Sequence, residues 1–127
     1  MSEDKNCVFC KIARGEVKAD IVLEGDNFVA FEDINPINPG HMLIITKKHY
    51  VTLLDIPNKL GNEMLEFTKK VASKLMDDKY GDGFNLVMNN LEVAGQVVMH
   101  AHVHVLPRKE GDGRIRFIPK GADAQDF

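Results

Sequence analysis

Apolar residues follow two rhythms along this chain. From Asn58 to about Tyr80, Leu60, Met64, Phe67, Val71 and Leu75 recur at steps of three and four, the period of one helix face, and Gly81 follows as the expected stop. Elsewhere the apolar positions form short runs or alternate with other residues. "IVLEGDNFVAFED" sets two such runs on either side of a Gly-Asp-Asn turn and predicts a hairpin. "HMLIIT" (41–46), "FNLVMN" (84–89) and "MHAHVHVL" (99–106) predict three further strands. "INPINPG" (34–40), with two Asn-Pro steps and a glycine, and "NLEVAGQ" (90–96) read as loops, while "CVFCKIARGE" predicts a short helix ended by Gly15. No repeat, low-complexity tract or linker interrupts residues 1–127, so one domain is expected. Hairpins plus one long helix predict an α+β domain on an antiparallel sheet.

Length and charge narrow the possibilities. A chain of 127 residues buries one modest core, so one site per subunit is expected. The formal net charge of -3, with both signs scattered, gives no general affinity for nucleic-acid backbones or anionic membrane, so neither is expected as a partner. No apolar run approaches the roughly 18 residues of a spanning helix, and "MSEDKNC" lacks the basic and apolar regions of a secretory signal. A cytoplasmic location is the expectation.

Three of the five histidines stand at alternate positions, His100, His102 and His104. On a strand, residues two apart point to one face at a spacing of roughly 6–7 Å, so the predicted strand places three imidazoles on one face and Met99, Ala101, Val103 and Val105 on the other. A polar face that happens to be histidine accounts poorly for three in register. Two chemical readings fit the spacing. The row could converge on a metal ion, although a tetrahedral zinc needs ligands from elsewhere too. Alternatively one imidazole is a nucleophile, with neighbours that fix its tautomer and meet an anionic substrate. Spacing alone does not choose between them.

The cysteines raise a separate question. Cys7 and Cys10 have the Cys-x-x-Cys spacing that presents two thiolates to one metal, and two small buried thiols are an equal alternative. A thioredoxin-like redox motif fits less well, because no strand precedes the pair.

"FCKIARGE", "FEDINPINPGHMLIITKKH" and "GQVVMHAHVHVLPRKEGDG", in that order and at that spacing, resemble the histidine-triad (HIT) family of nucleotidyl hydrolases and transferases, whose signature is His-x-His-x-His-x-x with apolar x. The similarity spans nearly the whole chain. It implies a five-stranded antiparallel sheet with one long and one short helix, a homodimer, and cleavage at the α-phosphate of a purine nucleotide derivative. By position, His102 resembles the nucleophile and His104 the histidine that contacts the phosphate. His100 and His41 resemble the pair that orients the attacking ring. Asp33 matches the acid that meets the ribose hydroxyls, though an Asp before such a loop is also a turn-former. Val8, Phe9, Ile12, Phe31, Ile34 and Leu43 fall where the family builds its apolar base pocket. Asn89 stands at a position near the phosphate, and Gln96 and Val97 lie in the loop that contacts it. In members that carry the cysteine pair, the resemblance implies a structural zinc on Cys7, Cys10, His49 and His100, with no metal needed for the chemistry.

One position departs from the family. Its phosphoramidase branch commonly has Ser after the loop glutamine and its diadenosine-polyphosphate branch often has Thr, whereas here the residue is Val97. Val97 offers no side-chain donor to a leaving group, although its backbone N–H remains. The short chain resembles the first branch and "HVLPRKEGDG" the second. The expected function is therefore a nucleotide hydrolase or transferase working through a nucleotidyl-histidine, on nucleoside phosphoramidates or diadenosine polyphosphates, releasing AMP or GMP. The alternative is a zinc-stabilised nucleotide-binding or interaction module; a hydrolase using the histidine row to hold its metal lacks carboxylates at ligand spacing.

Overall fold

The computed structural model describes residues 5–114. Five strands form one antiparallel sheet in the order β1-β2-β3-β5-β4. They are β1 (Ile21–Glu24), β2 (Phe28–Glu32), β3 (Met42–Thr46), β4 (Gly83–Val87) and β5 (His102–Arg108), with helices α1 (Val8–Ala13) and α2 (Gly61–Asp77). The predicted α+β class and antiparallel sheet are observed.

Strand alternation divides the interior into two layers. On one face Phe28, Ala30, Met42, Ile44, Val103 and Val105 pack against Phe67, Val71, Ala72 and Leu75 of α2. That is the stripe read from the helical period. On the other face Val29, Phe31, Leu43 and Ile45 pack with Cys7, Phe9 and Cys10 around α1. The pairing Leu43↔His104 and Ile45↔His102 puts both imidazoles in this second layer, away from the long helix. Burying apolar area at roughly 25 cal/mol per Å² on both faces makes the central strands a rigid support for those rings.

Three elements, α2, β5 and β4, have bounds that differ from the sequence expectation. The α-helix begins at Gly61, after a 3₁₀ turn at Asn58–Leu60, and stops at Asp77. Its end is formed by Lys79 at φ 61, with Tyr80 N–H donating to Leu75 O (3.1 Å) and Lys79 N–H to Met76 O (3.1 Å), a Schellman closure. Gly81 serves a close approach instead, since a Cβ there would meet backbone atoms of Arg108 at 2.8 Å. Strand β5 starts at His102, so Met99 and His100 precede it: His100 N–H donates to Val98 O (2.9 Å) and Ala101 N–H to Tyr50 O (2.6 Å), which turns the chain before pairing starts. The strand then runs through Pro107 to Arg108. Proline is tolerated there because β3 has ended at Met42, opposite Val105, leaving that side without a ladder partner. Strand β4 is likewise displaced by a residue or two, to Gly83–Val87.

Gly40 leads into β3 at φ +91, and a Cβ there would lie 2.6 Å from the Tyr80 ring. Gly40→Ala is therefore expected to destabilise the fold by about 2–3 kcal/mol, from left-handed backbone strain plus overpacking, read as a lowered urea midpoint with unchanged slope.

Candidate active site and candidate metal centre

Two clusters sit side by side on the α1 face of the sheet. His100 belongs to one, and the other predicted histidines except His49 belong to the second.

In the first cluster α1 and the bend before β5 meet. Cys7 caps α1, its sulfur accepting from Cys10 N–H. Cys7 Sγ lies 3.2 Å from His100 Nδ1, Cys10 Sγ 3.3 Å from His49 Nδ1 and 3.4 Å from His100 Nδ1. One ligand atom from each of the four residues falls within 4.8 Å of the others, and all four residues are buried. A tetrahedral zinc, with bonds of about 2.3 Å to sulfur and 2.0–2.1 Å to nitrogen, sets sulfur–nitrogen edges at roughly 3.6 Å, so these separations fit one after a shift of a few tenths of an ångström. The tautomer fits as well. His100 Nε2–H donates to Thr46 O (2.7 Å), with Thr46 Oγ1 at 3.2 Å, which leaves the Nδ1 lone pair facing the thiols. Burial holds His100 down to about 4, against an ordinary 6.5, so the ring is neutral as a ligand must be.

The second cluster is a relay of imidazoles. His102 Nδ1–H donates to the carbonyl of His100 (2.7 Å), so its Nε2 carries a free lone pair. Ile37 N–H donates to His41 Nδ1 (3.1 Å), which puts the His41 proton on Nε2. His41 Nε2–H in turn donates to His104 Nδ1 (2.9 Å), and this assigns the His104 proton to its outer nitrogen, Nε2. The His102 and His104 rings lie 5.1 Å apart. One ring thus presents a lone pair and its neighbour an N–H. Burial, then like charge on His102 and His41, pushes His104 down to about 4, and burial lowers His41 too, so both are neutral near pH 7.

Asp33, His41 and His104 also bring ligand-type atoms within 4.8 Å of one another, the Asp33 carboxylate lying 3.5 Å from His41 Nε2. The hydrogen bonds argue against a metal here. Ile37 N–H occupies Nδ1 of His41, so the nitrogen facing the cluster is the protonated one, whereas in the cysteine cluster the inward nitrogen of His100 is bare.

The remaining predicted residues divide. Phe9, Phe31 and Leu43 share one buried cluster with Ile12 packed against it, and the Phe9 ring meets His102 edge-on at 5.1 Å. Val8 lies at its margin, 41% exposed, and Ile34 is 90% exposed, outside the packed cluster. Asp33 is both turn-former and site neighbour: Oδ1 accepts from Asn35 N–H (2.9 Å) while Oδ2 faces His41. Gln96 is buried and its side chain is fully engaged within the protein, accepting from Leu91 N–H and donating to Val51 O and Val98 O, so it braces the loop. Asn89 Nδ2 reaches Gly95 O at 3.4 Å, and Val97 projects outward, 89% exposed. Sequence reasoning missed Ile37 and Thr46, whose contributions come wholly or partly from backbone atoms that no residue type advertises.

The lowered His41 and His104 values carry a pH dependence. Between about pH 6.5 and 4 the unfolded chain, with ordinary imidazoles, binds more protons than the fold, so stability falls as pH falls through that window and is regained above it. The urea midpoint is expected to drop between about pH 7.5 and 5, and His104→Gln should flatten that drop.

A sheet with two imidazoles of opposite hydrogen-bond polarity on one strand, and a third turned away before it, defines the histidine-triad class. The HIT domain family model matches residues 14–111, and the chain belongs to the HIT family. Among relatives, an uncharacterised HIT-like protein of Methanocaldococcus jannaschii is 46% identical over 110 residues, 86% of this chain and 84% of its own. An adenylylsulfatase of Arabidopsis thaliana is 41% identical over 84% of this chain and 54% of its own. An adenosine 5'-monophosphoramidase of Candida albicans is 37% identical over 87% and 75%. A structure from Streptococcus mutans superposes with TM-score 0.86 at 35% identity, covering 98% of this chain and 80% of that one. A zinc-bound histidine-triad protein of Mycobacterium smegmatis does so with TM-score 0.80 at 36% identity, covering 90% and 84%.

Proposed function

We propose that this protein hydrolyses or transfers the nucleotidyl group of purine nucleotide derivatives through a covalent intermediate on His102. The observation that carries the reading is the paired polarity of the two rings: a lone pair on His102 Nε2 beside an N–H on His104 Nε2. His102 Nε2 attacks the α-phosphorus, and the bond to the leaving group breaks with its electron pair going to that group. The carbonyl of His100 holds the Nδ1 proton of His102 and steadies the positive charge the ring gains. His104 Nε2–H donates to a non-bridging phosphate oxygen as charge builds there. Water then attacks phosphorus, the P–N bond breaks, His102 regains its lone pair, and the nucleoside monophosphate leaves with release of a proton.

The purine is assigned to the apolar surface of Phe9, Phe31, Leu43, Ile12 and Val8, with Ile34 at its rim, and the ribose hydroxyls to Asp33. Two relatives named as acting on adenosine phosphoramidate and adenylyl sulfate share an adenylyl group and differ in what leaves it, which supports attack at the α-phosphorus. Asn89 and Val97 would then frame the leaving group, with Gln96 bracing the loop that carries Val97.

Cys7, Cys10, His49 and His100 are assigned a structural zinc. Four protein ligands leave no open position, so the metal would brace the fold beside the chemistry rather than take part in it. No helix among the described residues is long and apolar enough to cross a membrane, and two cysteines not joined in a disulfide suit the reducing cytoplasm, where we place the protein. A homodimer fits the outer edge of the sheet, where Phe84 and Leu86 of β4 and Leu65 of α2 are exposed.

The test is AMP release from adenosine 5'-phosphoramidate and from diadenosine polyphosphates, with and without brief exposure to EDTA. AMP is expected at the same rate in both arms, because the nucleophile is an imidazole and needs no free divalent ion. The exposed apolar Val97 keeps a second reading in view: tight nucleotide binding with no AMP from any substrate would assign the chain to a binding module.

A further inference from the structure

Ile37 is gripped on both sides. Its N–H donates to His41 Nδ1, and its carbonyl accepts from the Arg114 guanidinium. The next residue, Asn38, is held as firmly. Its Nδ2 donates to Pro107 O (2.9 Å) and to Asp112 Oδ2 (3.1 Å), its Oδ1 accepts from Arg114 Nε (3.1 Å), and its carbonyl accepts from His41 N–H (3.1 Å). Asp112 gathers the other end of the network. It accepts from Arg108 Nε (2.8 Å) and Nη2 (3.0 Å) and from the backbone N–H groups of Lys109 (3.2 Å) and Arg114 (2.9 Å). The Arg108 guanidinium foremost holds the Asp112 carboxyl well below the usual carboxylate range, so this network stays charged at any pH where the protein works. No other described side chain collects so many donors.

The geometry points to Asn38, Asp112 and Arg114 as a clasp that positions the reaction: by holding the 34–40 loop against the end of β5, it keeps Ile37 N–H on His41 and so sets which nitrogen of His104 bears the proton. This inference rests on the reading of His104 as donor to the transferring phosphate. The two neutral tautomers of an imidazole differ little in intrinsic energy, and the hydrogen bond at one nitrogen decides the state of the other. Released from Ile37, His41 can place its proton on Nδ1 and accept at Nε2. His104 then donates inward through Nδ1, and its outer nitrogen turns a lone pair toward an anionic phosphate. The ring would still be present and correctly placed, but with the wrong polarity.

The clasp sits at the surface end of β5, and its members touch none of the proposed reacting atoms, so they are positioning residues. Their effect passes through two tautomers. The experiment compares full-length wild type with Asn38→Ala and Arg114→Ala by imidazole ¹⁵N NMR and by steady-state AMP release. Wild type is expected to show His41 and His104 protonated on Nε2. In Asn38→Ala these signals should move toward a tautomer mixture, with kcat falling roughly 10- to 100-fold and KM changing less than about 3-fold, part of the effect of losing one oxyanion donor outright. Arg114→Ala, at the rim, should shift both readouts the same way and carries the test if Asn38→Ala does not fold. Wild-type ¹⁵N signals for both rings in the folded variants would overturn the clasp. Absence of AMP release from wild type would refute the proposed function instead, and the NMR comparison would still decide whether the loop sets the tautomers.

Discussion

His102→Ala is expected to abolish AMP release, lowering kcat/KM by at least about 10⁴-fold, while leaving the protein folded. The size of the loss follows from what is removed. Alanine takes away the only atom assigned to form a bond with phosphorus, so no weakened version of the same path remains. The fold tolerates the change because apolar neighbours flank the position, Phe9 against the ring and Ile45 across the sheet. The carbonyl of His100 loses its imidazole donor, a cost of about 1–2 kcal/mol. His104→Ala gives a useful contrast. It removes a donor and keeps the nucleophile, so kcat should fall only about 10²- to 10³-fold. Steady-state assays on both variants beside their thermal melts check the ordering. Equal, modest losses would mean that neither ring attacks.

Cys10→Ala is expected to eliminate bound zinc and to reduce stability by roughly 4–5 kcal/mol, a fall in Tm on the order of 15 °C for a chain of this size. Cys10 is fully buried and lies within reach of both His49 and His100, so its loss removes one vertex of the proposed tetrahedron and all three edges that meet there. Metal analysis of wild type purified without chelator should return about one zinc per chain. The ligands must be deprotonated thiols and neutral imidazoles, so zinc should be held at neutral pH and released as pH falls. The consequence reaches the chemistry through His100, whose ring faces the thiols and whose carbonyl fixes the His102 tautomer. An unchanged metal content or Tm in Cys10→Ala would remove zinc from the account.

How far the sequence announced all this depends on whether the deciding contacts are local. The stripe of Phe67, Val71 and Leu75 is a local property of α2, and it appears in the core as read. The pair of free-running strand histidines, His102 and His104, was legible for the same reason. His100 was not. The alternation of His-Ala-His-Val-His continues through it unbroken, yet Tyr50 O and Thr46 O, both distant in sequence, turn the chain and draw the ring toward the cysteines. Gly81 misled in a similar way, because glycine marks both helix ends and close backbone approaches, and only the position of Arg108 tells which applies. Lys79 ends the helix in a left-handed conformation that its residue type does not favour. The tautomer relay was the least legible feature of all. It is set by a backbone N–H on Ile37 and by a loop held from 74 positions away through Asn38 and Asp112.

The central claim is a covalent bond between His102 and phosphorus. The most direct measurement mixes the protein with adenosine 5'-phosphoramidate, quenches within the first turnovers under conditions that preserve phosphoramidate bonds, and maps the modified peptide by mass spectrometry. An adenylyl group on His102, formed and lost at rates that match AMP release and absent in His102→Ala, is the predicted result. AMP release that proceeds with no adduct on His102, or with the adduct on another residue, would contradict it.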